Sequence, residues 1–205
     1  MSLNVETVVT GPFQENSYII WYAGSQDAVL IDPGDDEHLI IQKLRNHDLK
    51  PIAIINTHAH LDHIGAVHYL KEEYQIPFYL HEKEKFILDT YEVTCRMFNM
   101  LPKETPEVNI WLKDEDKITI KKFHFITIKT PGHTPGGTCF EIQNHLFVGD
   151  TLFRGSVGRT DLPGGDWSTL ELSLIHLLNS VSHSSIVHSG HGPDTTIENE
   201  LRQNP

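Results

Sequence analysis

The sequence predicts an α/β protein, an αββα sandwich of two mixed β-sheets with helices on both outer faces. Three observations predict it. Short apolar runs bounded by turn residues recur in both halves of the chain, each half carries helical patterns after its strands, and no Pro/Gly/Ser-rich linker separates the halves. At 205 residues the chain is long enough for a substantial core, and residues 1–205 are expected to form a single domain.

The elements follow in order. "VETVVTG", "NSYIIWY" and "DAVLIDPG" read as three successive strands forming a meander. Asp35 or Asp36 then caps the helical pattern "DEHLIIQKLRNHD", whose Leu39, Ile40, Ile41 and Leu44 share one face. "PIAIINT" is a buried strand, "IGAVHYLKEEYQ" a helix, "IPFYLH" a short strand, and "EKEKFILDTYEVTCRMFNM" a longer helix leading to a loop around Pro102 and Pro106. In the second half "DKITI", "FHFITIKTPG", "GTCFEIQ" and "HLFVGD" are strands. The Gly-rich loop "RGSVGRTDLPGGD" precedes the helix "WSTLELSLIHLLNS", and the strand "SSIVHSGHG" leads into a short polar tail.

Composition excludes several classes. A formal charge of −12 without any basic block argues against a nucleic-acid or anionic-membrane surface. No apolar run approaches the roughly 20 residues of a membrane span. The first residues lack the basic and apolar regions of a signal peptide, so a cytoplasmic location is expected. Cys95 and Cys139 are far apart and outside any C-x-x-C pair, which predicts buried small apolar side chains rather than a disulfide.

The anomaly is 14 histidines. His38, His47, His68 and His81 read as helix-surface residues. The others concentrate where apolar strands end: "IINT" runs into "HAHLDH", "ITIKT" into "PGHTPGG", "LFVGD" into "TLFRG", and "SIVHSG" into "HGPD". Loops at such strand ends converge over a rigid platform and form binding sites. The candidates are His58, His60, Asp62, His63, His133, Asp150 and His191, five imidazoles and two carboxylates. Nitrogen and oxygen donors without thiolates suit Zn, Fe or Mn rather than a closed structural Cys site. Seven are too many for one tetrahedral ion with an open position, and they fit two adjacent divalent ions bridged by a carboxylate. His58 and His60 project from one side of an extended segment. Asp62 and His63 follow where the chain turns into a helix beginning near Ile64. Gly132 and Gly190 precede His133 and His191, at turns that can require unusual φ values. Asp32 in "IDPG" reads as a turn residue or a supporting residue behind the ligands.

T-H-x-H-x-D-H, then P-G-H-T-x-G, then G-D at a strand end, then G-H-G-P resembles the metallo-β-lactamase superfamily across almost the whole chain. The resemblance implies that His58, His60 and His133 hold one metal, that Asp62, His63 and His191 hold the second, and that Asp150 bridges. Within the superfamily, "VGDTLFRGSVGRTDLPGGD" resembles glyoxalase II (hydroxyacylglutathione hydrolase), especially its small single-domain relatives. That resemblance places Arg159 where a basic loop residue helps to hold the glutathione carboxylate. Thr160 and Asp161 follow Arg159 where that family has a tyrosine, and no additional C-terminal glutathione-binding helical domain is expected here.

The implied function is a dinuclear-metal thioester hydrolase acting on S-D-lactoylglutathione or a related acyl-thioester. Zn is the first choice of metal, with Fe or Mn as others, and Asp62 orients the attacking hydroxide as well as binding metal. The partner is then a glutathione-type small molecule, and the chain a monomer or homodimer. Three other readings compete: an iron-dependent persulfide dioxygenase using His58, His133 and Asp150, another hydrolase of the same fold acting on lactones or β-lactams, and a non-catalytic metal-binding domain.

Overall fold

The structure, a computed structural model, describes residues 1–114 and 117–205. The first sheet has the order β1 (Leu3–Thr10), β2 (Glu15–Tyr22), β3 (Asp27–Ile31), β4 (Lys50–Ile55), β5 (Phe78–His81) and β6 (Ile110–Leu112). Its first three strands are the antiparallel meander expected, and the rest add in parallel. In the second sheet β7 (Lys117–Ile120), β8 (Phe123–Lys129), β9 (Thr138–Ile142) and β10 (His145–Gly149) are antiparallel neighbours. There β13 (Ile186–Ser189) lies parallel to β10, and β14 (Thr195–Thr196) closes the edge. Both sheets are therefore mixed. The strand expected over "DKITI" is present from Lys117, while Asp116 lies outside the described residues.

Strand alternation sorts the apolar residues into layers. Ile20, Val29, Ile31 and Ile55 of the first sheet meet Phe123, Phe125, Phe140 and Phe147 of the second, forming the core between the sheets. The opposite face of the first sheet, with Ile19, Leu30 and Ile54, packs on α1 (Glu37–Asn46) and α3 (Val67–Tyr74). The outer face of the second sheet, with Cys139, Leu146 and Val148, is covered by α6 (Trp167–Ser180) and by Ile197 at the start of α7 (Ile197–Gln203). The expected four-layer αββα sandwich is observed. Both cysteines are free and buried, as expected. Among the described residues no helix is long and apolar enough to cross a membrane.

Several local expectations are corrected. The single helix predicted after β5 is a 3₁₀ turn (Glu82–Glu84) followed by two short helices, α4 (Lys85–Asp89) and α5 (Tyr91–Met97). His81 does not lie on a helix surface. It is buried at the end of β5, and its Nδ1 accepts the Lys83 N–H at 3.2 Å to cap that turn. His47 lies just beyond the end of α1, against Trp21. Asp36 does occupy the N-cap position of α1, but its carboxylate accepts the Gly11 N–H instead of capping the helix. A small hairpin, β11 (Leu152–Phe153) with β12 (Ser156–Val157), leads into the Gly-rich loop and takes up its first residues, and the polar tail forms β14 and α7. These pieces are too short for periodicity to mark them.

Candidate metal centre

The site lies where β4, β8, β10 and β13 end. After β4 the chain remains extended through His58 and His60. It then turns abruptly into α2 (Leu61–Ile64), a single helical turn with His60 at its N-cap, so Asp62 and His63 sit inside a helix that starts earlier than expected. Asn56 Nδ2 donates to the His63 carbonyl at 2.6 Å and closes this turn. The two sheets are joined beside it: Asn16 Nδ2 donates to the carbonyls of Ser189 and Gly192, and the Tyr18 hydroxyl to Ser189 O, anchoring the loop that carries His191.

Both flagged glycines are required, for different reasons. Gly132 has φ +133°, and a Cβ there would stand 2.3 Å from Leu170 N at the start of α6. Gly190 is needed for close approach: a Cβ would fall 2.2 Å from Asp150 Oδ1 and 2.7 Å from His63 Cε1.

The seven candidates are brought together. His58, His60 and His133 offer ring nitrogens within 4.8 Å of one another, as do the donor atoms of Asp62, His63 and His191. Asp32, His58 and His63 satisfy the same spacing. Asp150 stands between the first two groups. Its Oδ1 is 3.4 Å from His63 Nε2, and its Oδ2 is 3.6 Å from both His133 Nε2 and His191 Nε2. Oδ2 of Asp62 is 3.3 Å from His191 Nε2.

What lies behind the rings determines which nitrogen faces the centre. His133 Nδ1 donates to the Arg159 carbonyl at 2.7 Å, and His191 Nδ1 to the Phe13 carbonyl at 3.2 Å. His63 Nδ1 donates to Asp32 Oδ2 at 3.1 Å. Thr57 Oγ1 donates to the same Asp32 oxygen at 2.6 Å, so it accepts from His58 Nδ1 at 3.0 Å. Four imidazoles therefore direct Nε2 inward, while His60 directs Nδ1, 2.9 Å from His133 Nε2. His58 Nε2 and Asp150 Oδ1 are buried without a hydrogen-bond partner. Buried polar atoms left unpaired are costly, and cations placed among them would satisfy each. The donor set, tautomers and orphaned atoms all fit metal ions, with the backing that ligating histidines characteristically have.

The electrostatics agree. Burial, reinforced by neighbouring imidazoles, keeps His58 neutral far below its ordinary range and lowers His60 to about 3. Burial also lowers His133. These rings are in the ligand-competent neutral form. Burial opposes charge on His63 as well, but Asp150 and Asp32 outweigh it and hold this pKa well above ordinary; Asp62 and Asp150 raise His191 likewise. Burial would raise Asp150, yet His63, His133 and His191 drive it far below the usual carboxylate range. Asp62 is also lowered: burial raises it, and His191 and His63 prevail.

Sequence reasoning missed two supporting carboxylates. Glu84, fully buried, accepts the Ala59 N–H on Oε2 at 2.9 Å and the Gly136 N–H on Oε1 at 2.6 Å, tying the H-x-H segment to the loop of His133. Its charged-looking context, "HEKEKF", disguises it as a solvated helix residue. Glu15, also fully buried, accepts from Thr10 and Ser17, and its Oε1 lies 3.8 Å from His63 Nδ1. Asp32 acts behind two ligands from different groups, one directly and one through Thr57, so Asp32→Ala is expected to weaken metal affinity about 10–100-fold. Competition titration against a chromogenic chelator reads this, and an unchanged affinity would remove Asp32 from that role.

Over the centre opens a cavity of about 580 Å³, with His60, Asp62, Asp150 and His191 on its floor and Phe13, Phe98, Phe153, Arg154 and Arg159 among its walls. The Arg159 guanidinium is exposed and pairs with Asp161 through two hydrogen bonds of 2.6 and 2.7 Å, while its carbonyl holds His133.

A layered αββα fold with a cavity floored by convergent His and Asp donors defines a class of proteins built to hold metal at the mouth of two packed sheets. The sequence model of the Metallo-beta-lactamase superfamily matches residues 10–182, and the chain belongs to that superfamily. It is 34% identical over 207 residues to the hydroxyacylglutathione hydrolase GloC of Haemophilus influenzae, covering 99% of this chain and 97% of that protein. Among solved structures it resembles the BLEG-1 B3 metallo-beta-lactamase, with TM-score 0.92, 39% identity and 98% of each chain covered. It also resembles TTHA1623 in a di-iron-bound form, with TM-score 0.87, 38% identity, and 98% of this chain and 99% of that one covered.

Proposed function

We propose that this protein is a dinuclear-metal hydrolase of acyl thioesters, with a glutathione-type thiol as carrier. The observation that carries the reading is the pair of complete donor groups sharing Asp150: His58, His60 and His133 on one side, Asp62, His63 and His191 on the other. When bound, two divalent ions supply a hydroxide near neutral pH and polarise the scissile carbonyl. The residues do the rest. Asp62 faces the cavity at the edge of its group, where a carboxylate oxygen accepts a hydrogen bond from the attacking hydroxide and aims its lone pair. The backing of four imidazoles by Asp32, Thr57 and two main-chain carbonyls holds the donors rigid through the reaction. Arg159, on the cavity wall, meets a carboxylate of the carrier by exchanging its internal partner Asp161 for the substrate. A thiol leaves readily as thiolate, its pKa being about 8.5, so no strong general acid is required.

The similarity to GloC supports a glutathione thioester as substrate without fixing its acyl group, and the similarity to a di-iron protein supports two ions without deciding between Zn, Fe and Mn. A mononuclear iron dioxygenase would need only His58, His133 and Asp150, and would leave the second donor group without a purpose. The likeness to a B3 metallo-beta-lactamase favours β-lactam hydrolysis as the second reading.

The test is elemental analysis of the purified protein, followed by assays of S-lactoylglutathione hydrolysis, cephalosporin hydrolysis, and oxygen uptake with glutathione persulfide. Two metal equivalents with thioester cleavage are expected. Oxygen uptake without hydrolysis overturns the proposal, and so does a protein that binds no metal. A further expected outcome concerns protons. His63 and His191 titrate above the ordinary imidazole range, so the metal-free centre holds protons at neutral pH that the ions must displace. Zinc binding then releases protons, and affinity rises with pH until these groups are neutral. Calorimetry in buffers of different ionisation heat measures the release; identical heats would contradict it.

A further inference from the structure

Beside the main cavity lies a smaller one of about 40 Å³. Its wall is formed by Ala59, Leu61, Ile87 and Tyr91, all buried, with Pro163. It shares His60, Leu61, Thr94 and Leu162 with the main cavity, so it adjoins the metal centre on the His60 side. The polar groups of this wall are already engaged. The Thr90 hydroxyl, between α4 and α5, donates to Ile87 O at 2.9 Å, and the Thr94 hydroxyl to Thr90 O at 3.0 Å. Tyr91 uses its hydroxyl on the Lys103 backbone and Cys95. A group entering this annex meets mainly methyls, methylenes and ring carbon, and the hydroxyl protons of Thr90 and Thr94 are already committed to main-chain carbonyls.

We propose that the annex is an acyl-chain subsite, which receives the apolar arm of the thioester while the carrier lies in the main cavity, and that Leu162 and Thr94 set the length of arm admitted. This rests on the acyl-hydrolase reading above. The size supports a short chain: one water-sized group needs roughly 10–15 Å³, so the annex holds about three. The chemistry supports an unsubstituted chain. Each methylene moved from water into such a wall is worth about fourfold in binding. A 2-hydroxyl, as on a lactoyl group, would exchange full hydration for at most a bond to a threonine oxygen whose own proton is committed elsewhere, which is a net loss. The subsite thus prefers a short unbranched acyl group to the 2-hydroxyacyl group of the same size. Leu162 stands on the Gly-rich loop and Thr94 on α5, at the junction of the two cavities, so their side-chain volumes control the passage.

The experiment uses the full chain loaded with zinc. Acetyl, butanoyl, hexanoyl, octanoyl and lactoyl thioesters of glutathione are compared by kcat/KM, and the corresponding free carboxylates by calorimetric binding. Wild type is expected to improve about fourfold per methylene across the short chains, then to level off or fall, with butanoyl above lactoyl. Leu162→Ala is expected to raise the octanoyl-to-butanoyl ratio at least about tenfold, and Thr94→Leu, approaching from the helix side, to lower the butanoyl-to-acetyl ratio. Hydrolysis with no dependence on chain length, or a profile that neither variant moves, overturns the subsite and leaves the hydrolase standing. Length-dependent carboxylate binding that shifts in the variants, without cleavage of any thioester, supports the subsite and overturns the hydrolysis reading. Neither activity nor length-dependent binding overturns both.

Discussion

Asp150→Asn is expected to lower turnover by about 10²–10³-fold or more and to reduce bound metal from two equivalents to one or less. Asp150 stands between both donor groups, with His63 on its Oδ1 and with His133 and His191 on its Oδ2. Three imidazoles hold it ionised despite burial, so it enters the centre as an anion at any working pH. Asparagine has the same shape but removes that charge and cannot offer an anionic oxygen to both donor groups. Two cations held by donor groups this close together would need an anion between them, because their mutual repulsion in a poorly solvated site would be large. Gly190 packs against Asp150 with no space for a Cβ, so the carboxylate cannot be replaced by movement of that loop. Metal content and kcat measured on the same preparation decide the matter. A variant that keeps two equivalents and wild-type turnover would remove Asp150 from the bridging position.

Glu84→Ala is expected to destabilise the protein by about 2–6 kcal/mol, since it leaves two buried main-chain N–H groups, those of Ala59 and Gly136, unsatisfied at about 1–3 kcal/mol each. For a chain of this size, that corresponds to a fall in Tm on the order of 10 °C. Burial raises the Glu84 pKa and the two amides oppose it, so Glu84→Gln, which keeps an acceptor for one of them, should recover part of the loss. The effect extends to the metal centre. Ala59 lies between His58 and His60, and Gly136 three residues beyond His133, so one carboxylate holds together the two segments that supply the first donor group. Thermal unfolding with and without zinc separates the contributions: metal should restore part of the lost Tm by binding the native state. A Glu84→Ala protein as stable as wild type would show that the two amides find other partners.

The centre was unusually legible in the sequence because its donors cluster in short motifs at the ends of apolar strands. All seven residues named from "HAHLDH", "PGHT", "GD" and "GHG" converge in the structure. Gly132 and Gly190 were flagged for their positions, although only Gly132 needs its φ and Gly190 needs its small size. The supporting residues were less visible. Asp32 stood out from its "IDPG" turn, yet its grip on both His58 and His63 depends on β3 lying beside β4 in register, which brings Asp32 against Thr57. Glu84 and Glu15 carry no local signal, because a carboxylate in a charged run or at a strand start is ordinarily solvated. The broken helix after β5, the hairpin leading into the Gly-rich loop and the terminal helix α7 escaped for a different reason. Each is shorter than the span over which a hydrophobic period can be read.

By itself, the sequence determined the layered architecture and the chemistry of the centre, because alternation along strands and the donor type of a side chain are local properties. Only the tertiary structure decided which nitrogen of each histidine faces inward, that Asp150 stands between the two donor groups, and which side chains lie behind as supports. It also decided the shape of the cavity, with its aromatic wall and the apolar annex beside His60. Those features arise where four strand ends and three loops from distant parts of the chain meet, and no local pattern records the distances between them.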